Sequence, residues 1–218
     1  MLEIENFQYK IGRQKSPVFN LKIPVGSINL ILGDNGEGKT LFFKSLTGAN
    51  QTLSGHFLWN DVEKDIFSLP IGYAGVSEYS NYDLRVNEYI NYIEYLFDLS
   101  SDDINGLMEV WCMKEHLNTK VSNLSDGERK RLAIIETELI NQPILLFDEP
   151  EANLDKRFRS MWMKYLRRNL SKKIFFIITH FPDLYNNFNR NLFTLDEKKV
   201  VEKQFFDACQ FNGDQFCL

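Results

Sequence analysis

The chain has 218 residues, 44% of them hydrophobic and 14% aromatic, which is enough apolar material for a sizeable core and too much for a disordered chain. Its 25 Lys and Arg against 30 Asp and Glu leave a net charge of −5, which argues against a nucleic-acid partner, because phosphate backbones draw basic surfaces. Cys112, Cys209 and Cys217 form no CxxC pair and read as free thiols of a reducing compartment. Residues 1–6 lack the pattern of a secretory signal, and no apolar run reaches the roughly 20 residues that span a bilayer. A role at a membrane would need another chain to cross it.

Leu2 and Ile4 alternate with acids, and Leu21, Ile23 and Val25 alternate ahead of the apolar run 28–32, so residues 1–32 are expected to form short strands. The octet Gly33-Asp34-Asn35-Gly36-Glu37-Gly38-Lys39-Thr40 follows at once. After it, Leu41, Phe42, Ser45 and Leu46 share one helical face, and Gly48 is a stop signal. Strand, glycine loop and helix form the setting that a phosphate-binding loop requires, and the octet satisfies G-x-x-x-x-G-K-[ST] in full. An ordinary glycine turn is the bland alternative. In the phosphate reading, the glycines let backbone N–H groups wrap around phosphate oxygens at a helix N-terminus. Lys39 is then expected at the β- and γ-phosphates, and the Thr40 hydroxyl on Mg²⁺.

Between residues 83 and 123 the pattern is helical, with Val86, Tyr89, Ile90, Ile93, Leu96 and Phe97 recurring at three- and four-residue intervals, as for a core face. Residues 125–140 read as a helix that opens on a capping box, Ser125 with Glu128 three positions on. Pro143 precedes a buried strand, 144–147, which runs straight into Asp148-Glu149-Pro150. A second apolar run, 174–178, ends in Thr179-His180. Strands alternating with helices imply a mainly parallel sheet, and acids at a strand's C-terminal end lie where open α/β sheets bind ligands. Asp148 is expected to hold Mg²⁺, Glu149 to take a proton from the attacking water or to orient it, and His180 to reach the γ-phosphate. Taken singly, the two acids read equally well as a solvated strand end and the histidine as structural. Alongside the phosphate loop they read as a nucleotide-hydrolysing site.

The run Leu124-Ser125-Asp126-Gly127-Glu128-Arg129-Lys130-Arg131, taken with the other three motifs in this order, resembles the signature of the nucleotide-binding subunits of ABC (ATP-binding cassette) transporters, and the resemblance extends to about residue 203. It implies an α/β fold of the P-loop NTPase type: a RecA-like parallel sheet with helices on both faces, an N-terminal antiparallel β-subdomain and a small inserted α-helical subdomain. The expected division is one ABC ATPase domain, with 1–76 and 124–203 forming the β-subdomain and core, 77–123 the helical subdomain, and 204–218 a tail without assigned function.

The resemblance further implies ATP hydrolysis with Mg²⁺ and a dimer, homomeric or with a second cassette, that closes head to tail over two ATP molecules. Gly33, Asp34, Asn35, Gly36, Glu37, Gly38, Lys39, Thr40 and Leu41 would hold the phosphates, while Ser125 and Gly127 would contact ATP bound to the other cassette. Asn153-Leu154-Asp155 matches the D-loop between the two sites. The helical segment matches the part that grips an integral membrane permease, and its shortness resembles exporter-type cassettes. The implied location is cytoplasmic, peripheral on the inner face of the plasma membrane.

Several positions depart from the family pattern. Ile11 stands where an aromatic residue usually stacks on adenine, so either stacking is weak or Tyr9, two residues earlier, supplies it from another angle. Val76 replaces the glutamine that coordinates Mg²⁺ or water, although Ser77 and Glu78 adjoin it. Asp126 and Glu128 add negative charge to the signature, which lowers affinity for a triphosphate unless Arg129, Lys130 or Arg131 offsets it. Slow or partner-dependent turnover is the expectation. The alternative readings are a soluble ABC ATPase of iron–sulfur cluster assembly and, outside the family, a helicase-like motor.

Overall fold

The computed structural model describes residues 1–75 and 83–195. The expectations attached to Val76, Ser77, Glu78 and the 204–218 tail lie outside the described residues. Strand β1 (Leu2–Ile11) pairs antiparallel with the short β2 (Gln14–Lys15), with β3 (Phe19–Ile23) and with β5 (Thr52–Trp59). Between β3 and β5 lie β4 (Ser27–Leu32), the glycine loop and helix α1 (Lys39–Leu46). β6 (Val62–Lys64) closes the antiparallel sheet against β5. Val25, expected to extend the strand alternation, instead sits exposed in the turn ahead of β4.

The second sheet is parallel throughout. It contains β7 (Ile71–Ala74), β8 (Ile144–Asp148), β9 (Ile174–Ile178) and β10 (Arg190–Thr194) together with β4, in the order β10-β4-β9-β8-β7. Because successive side chains point to opposite faces, β9 sends Ile174, Phe176 and Ile178 into one core and Phe175 and Ile177 into the other. The first core lies between this sheet, α1 and the antiparallel sheet. The second lies under α2 (Val86–Phe97), α3 (Ser101–Val110), α4 (Asp126–Ile140) and α5 (Lys156–Asn169). Both faces of the parallel sheet are therefore covered, which is why residues 144–147 of β8 and 174–178 of β9 read as unbroken apolar runs.

In the helical segment, Val86, Tyr89, Ile90 and Ile93 are buried as the spacing required. Leu96 and Phe97, expected on the same face, are exposed, as are Tyr92 and Tyr95. The periodicity holds only for the first two turns of α2. Its last turn is exposed, and Asp98 ends the helix in a left-handed conformation (φ 50°).

The antiparallel sheet and α1 are joined by an aromatic cluster. Phe7 has its ring centroid within 5.5 to 6.4 Å of those of Tyr9, Phe19, Phe42 and Phe57. Phe7 is fully buried, so truncating it leaves a cavity in a well-packed core. Phe7→Ala is expected to lower the unfolding free energy by about 3 to 5 kcal/mol, read as a lower urea midpoint at unchanged slope.

Candidate nucleotide-binding and hydrolytic site

The glycine loop leaves the C-terminal end of β4 and enters α1 directly. Gly33, Gly36 and Gly38 have φ of 144°, 90° and 85°, a region that only glycine adopts without strain, so the octet's glycines are a backbone requirement. Gly38 is the N-cap of α1 and supplies no side-chain cap, which leaves the first-turn N–H groups open to an anion. Lys39 is buried, and its Nζ donates to the carbonyls of Gly33 at 2.7 Å and Asp34 at 2.6 Å, so the ammonium is poised across the loop. The Glu37 carboxylate folds over Gly33, in the space a Cβ there would take.

Three strand ends converge on this loop. Thr40 donates its hydroxyl to Asp148 Oδ2 at 2.6 Å. Desolvation pushes the Asp148 carboxyl above the usual range, against the opposing hydrogen bond from Thr40, and the neighbouring Glu149 charge pushes the same way as burial. Glu149 takes a left-handed backbone (φ 49°), donates its N–H to the Ile178 carbonyl at 2.9 Å, and presents Oε1 3.2 Å from His180 Nε2. The same imidazole nitrogen lies 3.2 Å from Asn35 Oδ1. The phosphate loop thus meets, at one edge, acids and a histidine that lie more than a hundred residues further along the chain. Among the described residues no cluster of three or more His, Cys, Asp or Glu side chains forms a metal site by itself.

The signature run opens α4 as the capping box predicts. Ser125 N donates to Glu128 Oε2 at 2.7 Å, and Glu128 N donates to Ser125 Oγ at a longer 3.4 Å. Asp126 is paired with Arg129 at 2.7 Å, which holds its carboxyl below the usual range. Desolvation opposes ionisation of Glu128, but the two bonds from Ser125 and the nearby His116 and Arg131 outweigh it, and its carboxyl is also lowered. Lys130 spans the gap to β8, donating to the Glu149 carbonyl at 2.7 Å and the Ala152 carbonyl at 2.8 Å. Gly127 lies under Asn153, whose carbonyl would sit 3.0 Å from any Cβ placed there.

Set beside known proteins, the chain matches the family model described as ABC transporter over residues 18–152. It belongs to the ABC transporter family. Within that family it is an ATP-binding, ATP-hydrolysing cassette subunit that powers transport. It is 22% identical over 213 residues to the putative ABC transporter ATP-binding protein AlbC of Bacillus subtilis (strain 168), covering 87% of this chain and 89% of that one. It is 28% identical over 218 residues to the energy-coupling factor transporter ATP-binding protein EcfA2 of Clostridium perfringens, covering 92% of this chain and 76% of that one.

Two solved structures share the fold. A bacterial Atm1-family ABC exporter with ATP bound superposes with a TM-score of 0.76 at 20% identity, covering 92% of this chain and 38% of that one. The ATP-binding cassette MJ0796, in a dimeric post-hydrolysis state bound to ADP and Pi, gives 0.75 at 19% identity, covering 94% and 100%.

The cassette corrects one reading of its N-terminal strand. Tyr9 leaves no ring face open for a base; it is 1% exposed, stacked on Phe19 at 6.0 Å between ring centroids and packed against Phe42. Burial raises its hydroxyl to about 12. The cause is a register shift in β1 between Ile4 and Phe7, where Asn6 turns to φ 51° and reverses which side chains point inward. Ile11, at the strand's end, remains half-buried.

Two groups escaped the sequence reading. One is the Lys130 clamp, and the other is Glu151, fully buried one residue past Pro150. A polar residue in a loop-like run such as Pro150-Glu151-Ala152-Asn153 gives no periodic sign of burial. Tyr9→Leu, which removes the ring, is expected to lower stability while leaving the Kd for ATP within about twofold, since a base–aromatic stack would be worth about 1 to 3 kcal/mol. Isothermal titration with ATP measures it.

Proposed function

We propose that this cassette hydrolyses ATP with Mg²⁺ in a head-to-tail dimer bound to an integral membrane permease. The observation that carries the reading is the convergence of Lys39, Thr40, Asp148, Glu149 and His180 on one sheet edge. The Thr40 hydroxyl and Asp148 carboxylate are hard oxygen donors 2.6 Å apart, a set that suits Mg²⁺ held by one or two protein groups plus substrate phosphates. When bound, the ion would neutralise charge on the phosphate oxygens.

Lys39 exchanges its two loop carbonyls for phosphate oxygens, and the α1 N–H groups supply the rest of the cradle, with Leu41 in the same first turn. Glu149 receives a proton from the water whose oxygen attacks the γ-phosphorus, or orients that water, as the bond to the bridging oxygen breaks. His180 meets the Glu149 carboxylate through Nε2, the nitrogen that also faces Asn35 of the phosphate loop, and from there reaches toward the γ-phosphate. Ser125 and Gly127 act in trans on nucleotide bound to the second cassette, and Asn153 to Asp155 pass between the sites. Asp126 reaches that interface with its charge already paired to Arg129, which supports function despite the added acid.

Among the described residues no helix is long and apolar enough to cross a membrane, so in this reading the spanning part lies outside them. The exposed Tyr92, Tyr95, Leu96 and Phe97 on α2 are apolar surface of the kind a permease helix would cover, and the cassette would then sit at the inner membrane face. Relatives include energy-coupling factor subunits, so the reading extends to a transporter without the exporter direction. The family match favours this over the helicase-like alternative, which lies outside the family, and relatives named as transporter ATP-binding proteins favour it over the iron–sulfur one.

Glu149→Gln is expected to reduce turnover by at least about a hundredfold while ATP binding persists, and to trap an ATP-dependent dimer. Steady-state ATPase assays with light scattering read both. Undiminished turnover, or a monomer at saturating ATP, would sink the reading.

A further inference from the structure

Glu151 is fully buried, as are Thr179 and Tyr185, which surround it. A buried carboxylate is costly unless its oxygens are satisfied, and here each is: Thr179 donates its hydroxyl to Oε1, and Tyr185 donates its own to Oε2 at 2.9 Å. Trp162 Nε1 fixes the tyrosine by donating to its oxygen at 3.1 Å. Glu151 thereby ties the segment following β8 to the segment following β9.

The Thr179 hydroxyl has a second role. It accepts from the Phe181 N–H at 2.9 Å, so one oxygen fastens the residues on both sides of His180. The imidazole between them has Nε2 at 3.2 Å from Glu149 Oε1 and at 3.2 Å from Asn35 Oδ1. Glu151 also stands between Glu149 and the Asn153 turn, and its carbonyl accepts from Leu154 N at 3.4 Å.

We infer that Glu151 is a positioning residue: through the Thr179 hydroxyl it sets the backbone on which His180 is aimed at Glu149 and the phosphate loop. The inference rests on the proposed roles of Glu149 and His180 in hydrolysis.

The test uses the full chain carrying Glu151→Ala, Glu151→Gln, Thr179→Val or Glu149→Gln. ATP affinity, kcat and KM are measured with the proton NMR signals of the imidazole rings, of which the chain has 3, at His56, His116 and His180. Glu151→Ala is expected to lower kcat by about ten- to a hundredfold, the scale on which a displaced catalytic group is felt, with Kd and KM for ATP within about threefold. The His180 ring signal should move while those of His56 and His116 stay. Thr179→Val should reproduce both effects, and Glu151→Gln, which keeps the shape and an acceptor for Thr179, should restore most of the turnover.

An unmoved His180 signal in Glu151→Ala, or a Gln variant as impaired as the Ala variant, overturns the inference. Should Glu151→Ala fail to fold, Thr179→Val decides: a normal His180 signal with normal kcat overturns it equally. Glu149→Gln separates the two levels, because full turnover in that variant removes the catalytic reading, whereas the His180 signal reports on positioning regardless.

Discussion

Ile31 of β4 pairs with Ile178 of β9, and Ile178 pairs in turn with Asp148 of β8, so three parallel strands end at one level. Each strand residue advances about 3.3 Å, and a slip of one position would also turn every side chain to the wrong face of a sheet buried on both sides. A slip of two would keep the faces but move a strand end by about 6.6 Å, far beyond hydrogen-bond reach. The 2.6 Å contact between Thr40 and Asp148 and the 3.2 Å contact between Glu149 and His180 exist because that register is held. What holds it is the double apolar covering, with Phe147 and Phe175 toward α5 and Leu146 and Phe176 toward the antiparallel sheet.

The covered sheet also fixes the electrostatics of its edge. Asp148, Glu149 and Glu151 lie within four residues, and burial disfavours charge on the first and last of them. Lys130 is desolvated too, which lowers its ammonium against the pull of the surrounding carboxylates. Lys130 stays ordered because two carbonyls accept from it, and Lys39 is held the same way by its own loop. The cations are thus anchored by neutral partners; among the described residues neither is paired with a carboxylate, and each remains available to the field of an incoming phosphate.

Much of this was legible in the sequence because the relevant signals are local. An apolar run that stops at a polar residue marks a strand end, and a glycine octet that requires positive φ marks its own loop. The capping box at Ser125 and Glu128 is likewise a four-residue pattern and closes as read. Tyr9 was not legible, since one irregularity at Asn6 reverses the alternation and carries the ring into the aromatic cluster. The exposure of Leu96 and Phe97 depends on how far tertiary packing covers α2, which periodicity does not contain. Glu151 was hidden for a similar reason: its donors, Thr179 and Tyr185, lie 28 and 34 residues further along the chain.

The signature helix is bound to the same edge through its own side chain and backbone. Lys130, on the first turns of α4, bonds to carbonyls at Glu149 and Ala152, on either side of Glu151, and Gly127 packs beneath the carbonyl of Asn153. The segment 149–155 is therefore gripped from one side by α4 and from the other by the β9 strand end through Glu151. Glu149 and Asn153 both hold left-handed backbones inside that grip, conformations that persist only where surrounding contacts over-determine them. A displacement of the segment would break contacts on both sides together. The phosphate end and the signature end of the edge are thus joined by packed, hydrogen-bonded structure within a single chain.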